Sequence, residues 1–269
     1  MWRDGYRVLG AEWLRLRRSR ATIVGLIAYV IVLGIIHLGY VISTEQSLIG
    51  IESGFFISGA VLSGAVTPLA FMAVLFISFA MAREFSHGTI VLAWTRPLSR
   101  SGWLSGKLLT GFIVTSILYA LTLIIVIAAA GFQFGFQQLA EKSYVIHTEP
   151  QLWWHLVLTA ALTLLGLWAV ISVAAIPSLL INSPGGALAT ILVLGFVMEI
   201  GTGWSFLQPL LPVSYVSQPF DQFVAMAKGI SLPYAWSSLV QTCVIGSFAW
   251  SIIGFAGSRW IARRKEILG

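Results

Sequence analysis

The stretch AREFSHGTIVLAWTRPLSRSGWLSGK, residues 82–107, separates two strongly apolar blocks of the sequence and combines charge, glycine and proline. The chain around it has 269 residues, of which 58% are hydrophobic and 10% are charged. A soluble domain carries about a quarter charged residues, because a polar shell must cover its core. The composition therefore predicts an integral membrane protein in which this stretch connects two spans.

Apolar runs long enough to cross a bilayer occur on both sides of this connection. A membrane-spanning helix needs about 20 mostly apolar residues. Counting such runs predicts an all-α integral membrane protein with a single transmembrane domain over residues 21–269. The predicted six spans are residues 21–42, 61–82, 103–131, 152–176, 187–206 and 235–257.

Lysine and arginine are distributed unevenly among the connections. Of the sixteen, six lie in residues 1–20, four in 83–107 and four in 259–265. Cytoplasmic loops are enriched in these residues, so the pattern predicts that both termini and the 83–107 connection are cytoplasmic. The net charge of +6 is thereby explained by membrane topology, and no nucleic-acid partner is expected.

Residues 1–20 are predicted to form an interfacial amphipathic helix ahead of the first span. Such a helix places aromatic side chains at the headgroup level and arginines toward anionic membrane lipid. The alternative, a positively charged topology signal without a defined helix, remains open. At roughly 100° per residue, one stripe contains Trp2, Tyr6, Leu9, Trp13 and Leu16, and the opposite side contains Arg3, Arg7, Arg15 and Arg18.

Patterns typical of catalysis or metal binding do not stand out. The run from Gly102 to Lys107 is one residue short of a phosphate-binding loop, and Leu108 replaces the hydroxyl that such a loop needs. The four histidines are scattered, and the single cysteine cannot form a disulfide within the chain. We therefore expect a protein that is not an enzyme, with no catalytic residue, cofactor or metal in this chain.

The cytoplasmic connection after the second span is predicted to contain a short apolar helix. Gly88 and Thr89 offer a turn and a hydroxyl cap, and Pro97 ends the helix. Leu92 and Trp94 are large apolar residues for a cytoplasmic connection. The residues alone leave two interpretations open: a helix that docks in a groove of a partner, and a helix that lies on the membrane surface.

The order of residues in this connection resembles a known signature. EFSHGT (84–89), PLSR (97–100) and GK (106–107) are similar to the E-x-x-x-G-T, P-x-S-R and G-K elements of the membrane subunits of ABC type-2 transporters. In that family the signature lies between the second and third of six transmembrane helices, as it does here. By this resemblance, which extends over the whole chain, the protein is identified as an ABC exporter permease.

The resemblance also implies two further elements of the fold. Family members have an amphipathic entry helix and a proline-broken outer re-entrant hairpin before the last span. Residues 207–233 fit that hairpin, with Gly229 as a stop. The expected breakers are Pro209, Pro212 and Pro219.

The family implies a role for each signature residue. Residues 84–100 would form a coupling helix that sits in a cleft of a separate ATPase subunit. Glu84 would end the second span, and Arg100 and Lys107 would anchor the return into the membrane. The residues implied in coupling to the ATPase are Glu84, Gly88, Thr89, Leu92, Trp94, Pro97, Arg100 and Lys107.

The family further implies partners, location and cargo. Two ATP-binding cassette subunits would hold ATP and Mg²⁺, and two permease chains, identical or different, would form a dimer in the bacterial inner membrane. The expected cargo is apolar or amphiphilic (a drug, an antimicrobial peptide or a lipid-like molecule), because the spans offer hydroxyls rather than fixed charges. These hydroxyls include Thr110, Thr115 and Thr163.

Glu199 is the one acid inside a predicted span, at 187–206. A carboxylate is costly in lipid, so it should face protein, water or an interface. Two interpretations stay open. Glu199 contacts cargo or a cation on the transport path, or it is a structural acid near the outer end of its helix.

Other function classes remain as alternatives to the exporter. A secondary transporter driven by an ion gradient would need titratable residues on broken helices, and Glu199 and His37 are the candidates. An ion exporter and a membrane assembly subunit are further alternatives.

Overall fold

The structure is a computed structural model that describes residues 2–18, 20–46, 53–86, 99–141, 144–181, 183–230, 232 and 235–264. Helices dominate the described part of the chain. Six of them are long and apolar enough to cross a membrane. The chain is therefore an α-helical, multi-pass membrane protein.

The elements are numbered here in chain order. Two short strands, β1 (Leu139–Glu141) and β2 (Tyr144–His147), lie between the fourth and fifth helices of the described part of the chain. A short 3₁₀ turn, Gln208–Leu210, lies between the sixth and seventh. The helices are α1 (Trp2–Arg18), α2 (Arg20–Gln46), α3 (Gly54–Ser86), α4 (Arg100–Phe134), α5 (Glu149–Leu180), α6 (Pro184–Thr202), α7 (Ser214–Ala227) and α8 (Trp236–Arg264).

Most spanning helices extend beyond the apolar runs that predicted them. The second predicted span began at residue 61, but α3 begins at Gly54, and α8 ends at Arg264 rather than at 257. The fifth span is shorter than predicted, because α6 ends at Thr202 instead of 206. The Thr202 hydroxyl donates to the Glu199 carbonyl at 2.6 Å, and a side chain that bonds a late carbonyl in this way competes with continuation of the helix.

The hairpin of β1 and β2 is absent from the all-α prediction. The strands are antiparallel, with Ala140 opposite Val145 and Glu141 opposite Tyr144. Strands of three and four residues give too short an alternation to be recognised in an apolar sequence. The hairpin lies in the connection between α4 and α5.

The centre of the bundle is formed by α3 and α5. α3 packs against α2, α4, α5, α6 and α7, and α5 packs most extensively against α8. Phe220 and Phe223 of α7 are fully buried in the same core as Phe55 of α3. The Phe55, Phe136 and Trp153 rings, with centroids 4.7–5.1 Å apart, close this end of the core.

Pro219 was predicted to break the hairpin, but it lies inside α7. A proline in a helix has no N–H to donate to the carbonyl four residues earlier, here that of Tyr215. Gly166 of α5 lies against this same carbonyl and leaves no room for a side chain. Gly229 ends α7 as predicted, with a positive φ of 68° and a hydrogen bond of 3.0 Å from the Ile230 N–H to the Ala225 carbonyl.

Candidate functional site

Two charged residues of the signature meet between the end of α3 and the start of α4. Glu84 lies in the last turn of α3, and Lys107 lies two turns into α4. The Lys107 Nζ donates to Glu84 Oε1 at 2.5 Å. The two helices that flank the 87–98 connection are therefore joined by an ion pair.

A third charged side chain reaches Lys107 from α1. The Lys107 Nζ donates to Glu12 Oε1 at 2.7 Å and to the Ala80 carbonyl at 3.4 Å. Lys107 is only 1% exposed, so its ammonium group depends on these protein oxygens in place of water. A buried ammonium requires such partners because the loss of hydration is otherwise uncompensated.

Arg15 and Trp103 complete the site. The Arg15 Nη1 lies 3.4 Å from Glu84 Oε1 and 3.7 Å from Glu12 Oε1. The Trp103 Nε1 donates to Glu84 Oε2 at 2.8 Å, so both oxygens of Glu84 have partners. We call Glu12, Arg15, Glu84 and Lys107 the charge cluster, in which two acids and two bases balance.

Helical spacing explains why these side chains meet. Trp103 and Lys107 are four residues apart in the sequence, so they lie on one face of α4. Ala80 and Glu84 have the same spacing on α3, and the two faces pack together. Glu12 approaches from α1, which packs along α4.

Small residues allow α1 to approach α4 closely beside the charge cluster. A Cβ at Gly106 would lie 2.6 Å from the Val8 Cβ and 2.9 Å from the Gly5 carbonyl oxygen, which is closer than atoms can pack. Val8 and Glu12 are buried, whereas Tyr6 is 63% exposed. α1 therefore turns a face of small, aliphatic and acidic residues toward the protein, and Tyr6 and Trp13 on its other side are exposed.

We expect Gly106→Ala to loosen α1 from the bundle. The added methyl group would overlap Val8 and Gly5, although alanine itself favours a helix over glycine by about 1 kcal/mol. Hydrogen exchange in lipid nanodiscs should therefore show faster exchange of the α1 amides while α4 stays protected.

Gly10→Ala is the matched control for this substitution. Nothing lies within 4 Å of a Cβ at Gly10, so the same change on α1 adds helix propensity without a clash. Exchange in α1 should then be unchanged or slower. Equal α1 exchange in Gly106→Ala and the unmodified protein would contradict the close packing.

Ser99 and Arg100 of the signature organise the start of α4. The Ser99 side chain accepts a hydrogen bond from the Gly102 N–H at 3.1 Å and caps the helix. The Arg100 Nη1 donates to the Arg263 carbonyl at 3.0 Å and to the Ala262 carbonyl at 3.5 Å. The last carbonyls of a helix have no partner within it, so Arg100 caps the end of α8.

The other predicted coupling residues lie outside the described residues. The structure shows their attachment points, because α3 ends at Ser86 and α4 begins at Arg100. The coupling helix at 84–100 therefore stays a prediction, and its end residues 84–86 and Arg100 belong to α3 and α4. The residues concerned are Gly88, Thr89, Leu92, Trp94 and Pro97.

Glu199 lies in the last turn of α6. Its Oε2 is buried and has no hydrogen-bond partner among the residues that the structure describes. By contrast, the carboxylate of Asp221 on α7 has a partner, because the Ser63 hydroxyl of α3 donates to it at 2.5 Å. Both interpretations of Glu199, a contact on the transport path and a structural acid, stay predictions.

The hydroxyls that the sequence analysis associated with the transport path lie in the core of this chain. Thr110, Thr115 and Thr163 are at most 2% exposed. The Thr110 hydroxyl donates to the Gly106 carbonyl within α4, and the Thr163 hydroxyl donates to the Val216 carbonyl of α7. The hydroxyls of Thr110 and Thr163 are therefore satisfied within this chain, whereas Thr115 Oγ1 has no hydrogen-bond partner among the described residues.

Other titratable side chains are dispersed over the described part of the chain. No group of three His, Cys, Asp or Glu residues there could hold a metal ion. His37 Nε2 pairs with Gln133 Oε1 at 3.0 Å, and His155 Nδ1 pairs with the Gln151 carbonyl at 2.7 Å. The charge cluster is thus the site in which charged residues from three helices converge.

Glu12 was not predicted from the sequence. The N-terminal residues were assigned to an aromatic stripe and an opposite arginine stripe, and Glu12 lies on the face of the helix between them. Gly5, Val8 and Glu12 recur there at spacings of three and four, as expected for one side of a helix. Gly102 and Gly106, four residues apart and next to Lys107, form a complementary small surface, and this pairing was the available signal.

Comparison with known proteins identifies a family for this chain. The profile of a family described as "Protein of unknown function (DUF2705)" matches residues 21–268. The matched region includes Glu84 and Lys107 of the charge cluster and begins after α1, which carries Glu12 and Arg15. No curated protein matches the chain.

Proposed function

The chain belongs to the DUF2705 family of proteins of unknown function, and we propose that it is the permease subunit of an ATP-binding-cassette exporter. In this proposal it moves an apolar or amphiphilic cargo across a bacterial inner membrane. A separate ATPase subunit, present in two copies, binds ATP and Mg²⁺ and supplies the energy. A second permease chain, identical or different, completes the transport path.

The charge cluster is the observation that carries the proposal. The ion pair between Lys107 and Glu84 joins α3 and α4, the two helices that flank residues 87–98. A segment that transmits movement from an ATPase needs firmly connected ends, because loose ends would absorb the displacement. The signature that resembles the ABC type-2 permeases places its charged residues at these ends.

The lengths of α3 and α4 are consistent with a cytoplasmic extension. They contain 33 and 35 residues, and at 1.5 Å per residue each is about 50 Å long. The hydrocarbon core of a bilayer is about 30 Å thick. Helices of this length project beyond it, and the charge cluster would hold the projecting ends side by side, where Leu92 and Trp94 could enter a cleft of the ATPase.

Contacts of α7 support the re-entrant hairpin before the last span. The Val216 carbonyl, near the start of α7, accepts from Thr163 at the middle of α5. At the other end, the Lys228 ammonium lies 5.0 Å from the Phe56 ring, at the start of α3. In the proposed topology α7 therefore rises from mid-membrane depth to the outer face.

The proposed topology predicts which positions react from outside the cell. Cysteines introduced at the exposed Glu149 and Lys228 should react with a membrane-impermeant maleimide, and cysteines at the exposed Arg18 and Arg264 should not. The native Cys243 is fully buried and should contribute little background. Labelling of Arg264→Cys from outside in intact cells would overturn the assignment of a cytoplasmic C-terminus.

We expect Glu199→Gln to leave assembly and cargo export nearly unchanged. Glutamine keeps the shape and hydrogen-bonding capacity of the side chain and removes the cost of a carboxylate near lipid. ATP-dependent cargo uptake into inverted vesicles and recovery of the folded protein are the measurements. Normal assembly with loss of export of one cargo class would instead place Glu199 on the transport path.

Co-purification tests the proposed function directly. The chain is tagged at its C-terminus, extracted from its native membrane in a mild detergent, and the associated proteins are identified by mass spectrometry. A soluble subunit with a phosphate-binding loop, and ATP hydrolysis in the eluate, are the expected results. Transport that collapses with the ion gradient and persists without ATP would favour the secondary-transporter alternative.

A further inference from the structure

An apolar cavity of about 80 Å³ lies between α3, α5 and α6. Pro212 and Val213, which precede α7, close one side of it. Among the described residues that line it, Thr67 is the only one whose side chain carries an oxygen. The buried floor consists of Ala70, Val74, Ala174 and Ile191.

The cavity opens toward the outside of the bundle at the depth of the spans. Leu194 on its rim is 44% exposed, and the adjacent Leu192 and Val193 are exposed as well. The three helices that line the cavity are all membrane spans, and its lining residues on α3 and α6 lie in their central turns. The medium outside this opening is therefore the hydrocarbon of the bilayer.

Gly195 and Pro177 shape two walls of the cavity. A Cβ at Gly195 would lie 2.8 Å from the ring of Phe71, and both residues line the cavity. Pro177 of α5 has no N–H for the Val173 carbonyl, so the helical hydrogen bonds are interrupted at the cavity wall. A side chain at position 195 would therefore displace the Phe71 ring and change the shape of the cavity.

We propose that this cavity binds one acyl chain of a membrane lipid. Water does not occupy an apolar cavity without polar partners. A void also deprives the lining atoms of dispersion contacts. An alkyl chain that enters past Leu194 restores these contacts without burying a polar group, and the surrounding bilayer supplies such chains at high concentration.

Size and chemistry restrict the occupant to the hydrocarbon part of the lipid. A space of roughly 10–15 Å³ on this measure holds one water-sized group, so the cavity accommodates several methylene groups in a row. None of the described residues that line it is charged, so this lining offers no partner to a phosphate or an amine. The proposal concerns a lipid site on the single chain and stands independently of the exporter function.

Photolabelling with lipid probes tests the site in the intact protein. The purified chain is reconstituted with phosphatidylglycerol that carries a diazirine on one acyl chain, irradiated, and the labelled peptides are mapped by mass spectrometry. Labels are expected at Phe71, Met198 and Val213. A probe with the diazirine on its headgroup should not label these residues.

Ala174→Leu and its matched control decide the outcome. Leucine at the buried position 174 fills the cavity floor, whereas Ala256→Leu makes the same change at an exposed position of α8. Ala174→Leu should abolish labelling in the cavity and preserve it on the exposed α6 residue Val197, whereas Ala256→Leu should change neither. Gly195→Ala, a smaller change, should reduce cavity labelling through its contact with Phe71.

Two results would overturn the proposal. Labelling of Val197 without labelling of any cavity residue in the unmodified protein would show that acyl chains do not enter, as when a second copy of the chain covers the opening. Cavity labelling that is unchanged in both Ala174→Leu and Gly195→Ala would show that the labelled chain lies elsewhere. A monodisperse gel-filtration peak at the elution volume of the unmodified protein confirms that each variant is folded.

Discussion

Lys107→Met should lower the free energy of unfolding of the bundle by about 3–5 kcal/mol, which is the cost of removing one partner from a buried ion pair. Methionine has a similar length but leaves the Glu12 and Glu84 carboxylates without the ammonium group that compensates their burial. Unfolding of the detergent-solubilised protein, followed by the fluorescence of its eleven tryptophans, measures the loss.

Lys228→Met is the matched control, because it removes the same charge from an exposed position. Its cation–π contact with Phe56 contributes at most about 1 kcal/mol at such a site. Adding Glu12→Gln and Glu84→Gln to Lys107→Met should recover much of the lost stability, because no uncompensated acid remains. Equal midpoints for Lys107→Met and Lys228→Met would contradict the role of the charge cluster.

Trp94→Asp should abolish export and leave the protein folded in the membrane. In the proposed function Trp94 belongs to the apolar surface that enters the ATPase, and a carboxylate there would have to be buried without a partner. Leu92→Asp should act in the same way. ATP-dependent cargo uptake into inverted vesicles and the amount of co-purified ATPase are the two measurements.

Trp204→Asp is the control for this loss. Trp204 is 57% exposed and follows α6, and the proposed topology puts it at the outer face of the membrane. Trp204→Asp should reduce ATPase binding and export much less than Trp94→Asp does. Export and co-purification at the unmodified level in both Trp94→Asp and Leu92→Asp would show that this segment does not couple the permease to an ATPase.

The spans were predictable because each is an apolar run long enough to cross a bilayer. Their ends were less so, since α3 continues to Ser86 through Arg83 and Glu84, where a hydropathy count stops. The prediction that Pro219 breaks the hairpin was wrong. Its missing N–H is tolerated inside α7, because only the Tyr215 carbonyl loses a helical partner.

The charge cluster was predictable only in part. Glu84 and Lys107 were found because they belong to a recognisable signature. Glu12 was not found, because its partner lies 95 positions away in the chain and only the packing of α1 on α4 brings the two together. The apolar cavity left no sequence signal either, since Ala174 and Gly195 are ordinary residues of a membrane helix.

In the proposed function, residues 87–98 dock into an ATPase subunit, and the charge cluster joins the two helices that flank them. Site-specific photocrosslinking in living cells tests this docking most directly, with the crosslinking amino acid at position 94 and, as a control, at position 228. We expect a crosslink from position 94 to a soluble subunit with a phosphate-binding loop, and none from position 228. A crosslink from position 94 to lipid alone would contradict the docking and favour a helix on the membrane surface.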